Sequence, residues 1–533
     1  MQRMQLLLSL AISVLLLCRA SDGGRVLVFP GEYSHWLNMK SIMEELVRRN
    51  HSVTVLVPAA SPSINYNSSR EAAKFSFLVF EVPFSRVQFH GIFQEFIHFS
   101  MYESHLLSPL QRFWWTCDWM QRMADFWRLQ CDSMLKNERL MRTLRDTKFD
   151  VVLLDPMVVC GDLVADVLGL PFILSLRFSF GNVLERHCGH ASAPPSYVPA
   201  VPLPYSDRMT FMERLINSVM YVGTSLVSEV VWKLTLDRYY SEIKGSPSGV
   251  CESLGKAKIW LIRTFWDLET PRPIPPNFQY VGGLHCKPAA KLPEELEAFV
   301  QSSGEAGVVV VTFGSMVTNL TTERANVIAA ALGRIPQKVI WKYSGEAPAT
   351  VAANTKLSDW IPQNDLLGHP KTRAFVTHGG TNGLYEAVYH GVPLVGIPLF
   401  GDQSDNLSRL SRRGAAIVLD FNHLTVDELT EALQAISNQP TYRSRMQHLS
   451  ALHHDRPESP LSTALFWVEF VMRNGKADHL RLASRDLNWF QYHSLDTVSV
   501  LVAVLMAGSA ICWSVIHHLL QICQQPGRRG KTD

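Results

Sequence analysis

A histidine, two glycines, an aspartate and a glutamine fall within one stretch, FVTHGGTNGLYEAVYHGVPLVGIPLFGDQSDN, running from Phe375 to Asn406. Together they offer an anion seat beside a set of hydroxyl partners. The apolar run Ala374 to Val376 predicts a buried strand, and Asn382 to His390 has helical character. His378, Gly379 and Gly380 lie between them. A strand that turns through two glycines into a helix N-terminus lets a ligand approach the backbone. The ligand then faces unpaired N–H groups and the positive end of the helix dipole. Pro393 to Pro398 predicts a second short strand, with Asp402 and Gln403 at its carboxyl end. Open parallel sheets bind ligands at the carboxyl ends of their strands. One loop therefore suits phosphate and the next presents a carboxylate and an amide to hydroxyls, as a sugar nucleotide requires. A histidine–glycine turn alone is also an ordinary structural feature; the combination is what points to a ligand.

Two further groups belong to the same chemistry. Upstream, Asp359 to Pro370 reads DWIPQNDLLGHP, placing Trp360 and Gln363 before the next strand. An aromatic and an amide suit stacking and hydrogen bonding to a pyrimidine. In the first half, His35 follows directly on an apolar strand, in EYSHW. Histidine titrates near working pH and is an efficient base. It needs a partner to fix its tautomer, usually a carboxylate, and Asp155 ends the strand FDVVLLD of the same half. A lone histidine after a strand is otherwise more often structural than catalytic.

The segment from Trp360 to Gln403 resembles the signature of the UDP-glycosyltransferases and is most similar to vertebrate UDP-glucuronosyltransferases of the endoplasmic reticulum. The resemblance spans essentially the whole chain. It implies an α/β GT-B fold: two Rossmann-like domains facing a cleft, plus a C-terminal transmembrane helix. It implies that His35 is the general base and Asp155 its partner. Trp360 would stack on uracil, while Gln363 and Glu386 would hydrogen-bond the ring and ribose. Ser315, His378, Gly379 and Gly380 would hold the phosphates, with Asn382, Asp402 and Gln403 towards phosphate and sugar. Arg263 would lie by the donor, where it could neutralise the diphosphate or a sugar carboxylate. Read without the resemblance, Trp360 suits a core, Glu386 an exposed helix face and Arg263 a strand end. The implied reaction is inverting transfer of glucuronic acid from UDP-glucuronate, a co-substrate, to a hydroxyl of a small lipophilic acceptor. A UDP-glucosyl- or other UDP-hexosyltransferase is the first alternative, and a catalytically silent partner of other transferases the second. No cofactor is expected. The run DQSD (Asp402 to Asp405) invites a metal, yet histidine, helix dipole and basic groups suffice for the phosphate charge, so no obligatory ion is expected.

The elements that must position these groups read as two βαβ series. The first opens with strand Arg25 to Pro30, helix Asn38 to Arg48 and strand Ser52 to Val57, and continues with Phe149 to Leu154 and Pro171 to Leu174. The second opens with Gly307 to Phe313, helix Thr322 to Leu332 and strand Lys338 to Tyr343. Proline and glycine density rises between Val281 and Pro293, where the halves meet. The expected organisation is a signal peptide (1–20), an acceptor-binding Rossmann-like domain (21–284) and a UDP-sugar-binding one (285–480). A juxtamembrane segment (481–496), a transmembrane helix (497–516) and a cytoplasmic tail (517–533) complete it.

The ends of the chain predict its compartment. Met1 to Ala20 has an early arginine, an apolar core and small residues before Ser21, the pattern of a secretory signal. Thr497 to Ile516 is an uncharged run of 20 residues, roughly 30 Å as a helix and so matched to a bilayer. Basic residues follow it, which places the tail in the cytoplasm and the rest in the lumen of the endoplasmic reticulum, single-pass and type I. The closing Arg529 to Asp533 resembles the family's dibasic retrieval signal, with arginine where lysine is usual. Net charge is only +2, which gives no reason to expect a nucleic-acid partner; homo- or hetero-oligomers with related transferases are compatible with it.

Six of nine cysteines lie between signal and anchor. Their spacing does not suit a metal, and they are expected to be mostly buried thiols, with pairing open. Sequons at Asn67 and Asn319 suit luminal glycans, whereas the one at Asn406 falls inside the donor motif, where a glycan would clash. Between Phe89 and Trp127 the first half is unusually aromatic. A core, an apolar acceptor cavity or a membrane-resting surface would each explain that density. The five prolines between Ser192 and Pro204 make a stiff loop that would border such a cavity.

Overall fold

Short runs of valine, isoleucine, leucine and phenylalanine, each buried on both faces, dominate the strands of this chain. Such runs belong in parallel sheets covered by helices on both sides. A computed structural model describes residues 23–176, 181–200, 203, 205–317 and 320–524. The expected signal peptide, the sequon at Asn319 and the basic tail lie outside these residues.

The first lobe holds a seven-stranded parallel sheet. Its strands are β1 (Arg25–Phe29), β2 (Ser52–Pro58), β3 (Ser76–Phe80), β4 (Val151–Leu154), β5 (Phe172–Leu176), β6 (Ile259–Ile262) and β7 (Phe278–Tyr280), ordered β3-β2-β1-β4-β5-β6-β7. The second lobe holds six: β8 (Val308–Thr312), β9 (Lys338–Lys342), β10 (Thr355–Ser358), β11 (Thr372–Thr377), β12 (Leu394–Gly396) and β13 (Ala416–Val418), ordered β10-β9-β8-β11-β12-β13. Both sheets reverse direction of growth once, between β1 and β4 and between β8 and β11. At such a switch the loops leaving the two strands diverge to opposite faces and open a crevice.

Helices cover both faces of each sheet. Helix Ser34–Arg48 presents Trp36, Met39, Ile42, Met43 and Leu46 to the first sheet, the spacing of a single buried stripe. It begins four residues earlier than its apolar periodicity suggests, because Ser34 and His35 already belong to its first turn. On the second sheet, helices Thr322–Gly333 and Val426–Asn438 pack on one face. Helices Thr381–His390 and Pro440–His454 pack on the other.

The chain crosses between lobes twice. It first passes from β7 to helix Glu294–Gln301, where proline and glycine cluster. Later, helix Pro460–Asn474 returns to the first sheet and places Ala464, Leu465, Val468 and Val471 against Val26, Val28 and Met39. Arg49 of the first lobe pairs with Glu469 of this helix at 3.0 Å. The last α-helix of the expected range 285–480 therefore completes the first lobe rather than the second.

One other expectation changes, and one left open is narrowed. Cys131 is bonded to Cys160 and Cys188 to Cys251, so four of the six cysteines between the expected signal and anchor are not thiols; Cys117 and Cys286 are. The aromatic stretch proves to be packing for the most part. Phe84, Phe89, Ile92 and Met123 build a small core of their own with Phe126, while Ile97 and Met101 enter the core of the second lobe. Helix Arg86–His98 thereby bridges the lobes, and Phe113 and Trp114 stay exposed. The proline-rich loop is held by a buried amide: Asn217 accepts from the Ala200 N–H at 2.7 Å and donates to the carbonyls of Pro195 and Val198.

The described residues from Arg481 onward form a separate unit. Its helix, Leu495–Gln524, is longer than the uncharged run at its centre, and Trp489, Phe490 and Tyr492 stand exposed before it. By length and composition it can cross a membrane. Residues Phe211–Lys244 also form a helix that is long and apolar enough, with most of its surface exposed.

Candidate functional site

Each switch point carries one half of the site. At the first, His35 follows β1 and Asp155 follows β4, strands paired in parallel so that Phe29 lies opposite Leu154. This register brings residues 120 positions apart into contact: His35 Nδ1 lies 2.6 Å from Asp155 Oδ2. Asp155 is fully buried, whereas the imidazole keeps about a fifth of its surface. Asp155 Oδ1 accepts the Met157 N–H at 2.9 Å, so neither oxygen is idle. Burial would raise the Asp155 carboxyl, but the His35 charge and hydrogen bond, helped by Arg263, reverse this and hold it below its usual range. An ionised carboxylate on Nδ1 keeps that nitrogen protonated and leaves Nε2 as the basic atom.

At the second switch point, Gly314 and Ser315 follow β8, and His378 to Gly380 follow β11. The His378 ring fits between the two loops only because both neighbours lack side chains. A Cβ on Gly380 would lie 2.5 Å from Nε2 and one on Gly314 would lie 2.7 Å from it. Gly379 adopts φ +88°, and from Gly380 the chain enters helix Thr381–His390, whose open N–H groups face the crevice. Ser315 is exposed at this rim.

Beyond β12, Asp402 precedes helix Gln403–Arg412 without a capping hydrogen bond. Its Oδ2 accepts from Asn406 Nδ2 at 2.6 Å and Thr381 Oγ1 at 3.5 Å. Gln403 Oε1 accepts the N–H groups of Leu399 and Phe400 at 2.8 and 3.0 Å. With its oxygen so held, the glutamine amide has its N–H₂ edge left as a donor. Asn406 also donates to the Gly379 carbonyl at 2.9 Å and is buried, which rules out a glycan there. Asp405 instead pairs with Arg409 at 2.8 Å, so the two DQSD carboxylates serve different partners.

Gln363 Nε2 donates to Glu386 Oε2 at 2.5 Å. Burial pushes the Glu386 carboxyl up to about 7 against that hydrogen bond. Trp360 is exposed, its indole open to stacking rather than part of a core. Arg263, the residue after β6, is buried with its guanidinium 3.9 Å from Asp155. Its positive charge also acts on His285 and helps to lower that imidazole.

Sequence reasoning missed two residues here. Lys342, at the end of β9, donates to the Gly314 carbonyl at 3.1 Å and lines a small cavity with Gly314 and Ser315; a lysine closing the strand that neighbours β8 was the available signal. Asn38, one turn past His35, reaches across the lobes to Asn382 at 2.8 Å, and nothing in local sequence marks it.

Two parallel sheets facing each other across paired switch points define the GT-B class of glycosyltransferases. Spinosyn forosaminyltransferase SpnP has the same fold (TM-score 0.55, 17% identity, 85% of this chain and 100% of that one). So does the calicheamicin glycosyltransferase CalG4 (TM-score 0.53, 19% identity, 85% and 99%). The family described as UDP-glucoronosyl and UDP-glucosyl transferase matches residues 24–529, and the chain belongs to it. It is 48% identical to mouse (Mus musculus) UDP-glucuronosyltransferase 2A1 over 99% of both chains. It is 51% identical to guinea pig (Cavia porcellus) UDP-glucuronosyltransferase 2A3 over 93% of both, and 48% identical to human (Homo sapiens) UDP-glucuronosyltransferase 2A2 over 95% of this chain and 94% of that one.

Proposed function

We propose that this chain transfers glucuronic acid from UDP-glucuronate to a hydroxyl of a small lipophilic acceptor, by one displacement that inverts the anomeric centre. The observation that carries the reading is the His35–Asp155 pair, 2.6 Å apart at one switch point, with the glycine-lined anion seat at the other. His35 Nε2 takes the acceptor proton as the hydroxyl oxygen forms its bond to the anomeric carbon. Asp155 stabilises the imidazolium so formed. The bond from sugar to UDP breaks on the opposite face, and the departing charge falls on the N-terminus of helix Thr381–His390 and the His378 turn.

In this reading Trp360 stacks on uracil, Gln363 and Glu386 bind base and ribose, and Ser315 and Asn382 hold phosphate. Asp402 and Gln403 bind sugar hydroxyls, the first through its remaining oxygen and the second through its N–H₂. Arg263 balances Asp155 and adds positive charge near the sugar carboxylate. No cofactor or obligatory metal takes part. The luminal face of the endoplasmic reticulum is the site of action, with Leu495–Gln524 as a single anchor and glycans on Asn67, which is exposed in a turn, and on Asn319. Purified protein offered UDP-glucuronate, UDP-glucose and UDP-xylose with one phenol tests the donor. Conjugation from UDP-glucuronate is expected; conjugation from UDP-glucose alone would overturn the assignment.

A further inference from the structure

Asn38 stands three residues beyond His35 on helix Ser34–Arg48, so both side chains leave the same face. Its amide is buried, with 2% of the residue exposed, where each polar edge needs a partner. Nδ2 donates twice at 2.8 Å: to the Ser34 carbonyl within its own helix, and to Asn382 Oδ1 across the lobes. The Ser34 carbonyl can only accept. It therefore fixes the N–H₂ edge of Asn38 on that side and leaves only a donor to meet Asn382. The Asn382 amide must answer with its oxygen, and its own N–H₂ is turned away from Asn38. The main chain at the same position is held as well, since His285 Nε2 lies 3.2 Å from the Asn382 carbonyl.

A phosphate oxygen can be served only by the donating edge of an amide. We propose that Asn38 is a positioning residue that sets the orientation of the Asn382 amide, keeping N–H₂ available to the donor diphosphate. The same bond holds the helix bearing the base in register with the helix bearing the anion seat. The inference rests on the reading that Asn382 contacts the diphosphate.

A double-mutant cycle on UDP affinity, measured by calorimetry on the detergent-solubilised full chain, tests it. Asn38→Asp presents an acceptor to the Asn382 oxygen and forces the Asn382 amide to turn. It is expected to weaken UDP binding about ten- to a hundred-fold, the worth of a hydrogen bond to a charged group together with the repulsion that replaces it. Asn38→Ala merely frees the amide and costs only a few-fold. Both effects are expected to vanish in an Asn382→Ala background, where no amide remains to orient. Losses of undiminished size in that background would show that Asn38 acts only through the fold and would overturn the proposal. So would wild-type UDP affinity in folded Asn38→Asp. Should Asn38→Asp fail to fold, the Asn38→Ala arm alone decides by whether its loss disappears. Wild-type UDP affinity in Asn382→Ala would instead refute the underlying donor reading, and the inference with it. The two failures are thereby distinguished.

Discussion

Replacing Asp155 by asparagine should disable the base while leaving the fold nearly untouched. Asp155 Oδ1 accepts the Met157 N–H at 2.9 Å and Oδ2 faces His35 Nδ1 at 2.6 Å. In the variant the amide oxygen must stay on the Met157 side. Turning it would set N–H₂ against a buried backbone donor and cost about 1–3 kcal/mol. The N–H₂ then confronts His35 Nδ1, which becomes an acceptor, and the single ring proton moves to Nε2. That is the atom which must receive the proton of the acceptor hydroxyl. In the serine-protease triad the corresponding change costs about 10⁴-fold in kcat, or about 5.5 kcal/mol at 1.36 kcal/mol per decade. Here Arg263, 3.9 Å from Asp155, also loses its counter-charge. The assay is kcat with labelled UDP-glucuronate and a phenol, both saturating, run beside UDP affinity and a thermal midpoint. A fall of about 10³- to 10⁴-fold is expected with UDP affinity unchanged. A folded, UDP-binding Asp155→Asn variant within about ten-fold of the native kcat would refute the tautomer argument.

Four further outcomes can be checked. His35→Ala should lower kcat by about 10²- to 10⁴-fold without loss of UDP binding; an active variant would remove the base from the mechanism. Glu386 titrates near pH 7. Its raised value contributes stability that is complete below the ordinary carboxylate range and is lost as pH rises through about 7, whereas its ionised form is the better acceptor for ribose hydroxyls. UDP affinity should therefore strengthen as pH rises through that value, and the profile should flatten in Glu386→Gln; a flat native profile argues against the ribose contact. Gly379→Ala should weaken UDP binding and cost about 1–2 kcal/mol of stability, because its Cβ at φ +88° would lie 2.5 Å from Leu407 Cγ; a native midpoint in thermal melts would contradict this. Replacing Cys188 and Cys251 by serine opens a link between residues 63 positions apart and should cost about 2–4 kcal/mol in urea unfolding; an unchanged midpoint would show that the bond is dispensable.

The sequence was most legible where one residue type answers one physical demand. Apolar runs such as VVLL and VVVV read as buried strands and proved to be β4 and β8. The glycine turn after Thr377 and the pairing of His35 with Asp155 followed from where parallel sheets gather ligands. Legibility ended where partners are distant and unmarked. The apolar stripe of helix Pro460–Asn474 states that one face is buried but not against which sheet. Asn38 reads as one polar residue in an amphipathic helix, and its meaning appears only with Asn382 beside it. Cysteine spacing does not distinguish thiols from disulfides in a chain with ample core. Arg263 was expected at the donor through the family resemblance, its own context suggesting only a strand end; its burial beside Asp155 depends on the register of β5 and β6.

The double passage of the chain between lobes limits how this enzyme can be recombined. A chimera that takes its first 284 residues from one relative and the remainder from another would lay a foreign Pro460–Asn474 helix on the first sheet, against Val26, Val28 and Met39. Grafts meant to trade acceptor preference should therefore carry that distant helix along with the front half. Mismatch there would register as poor folding and be mistaken for altered selectivity.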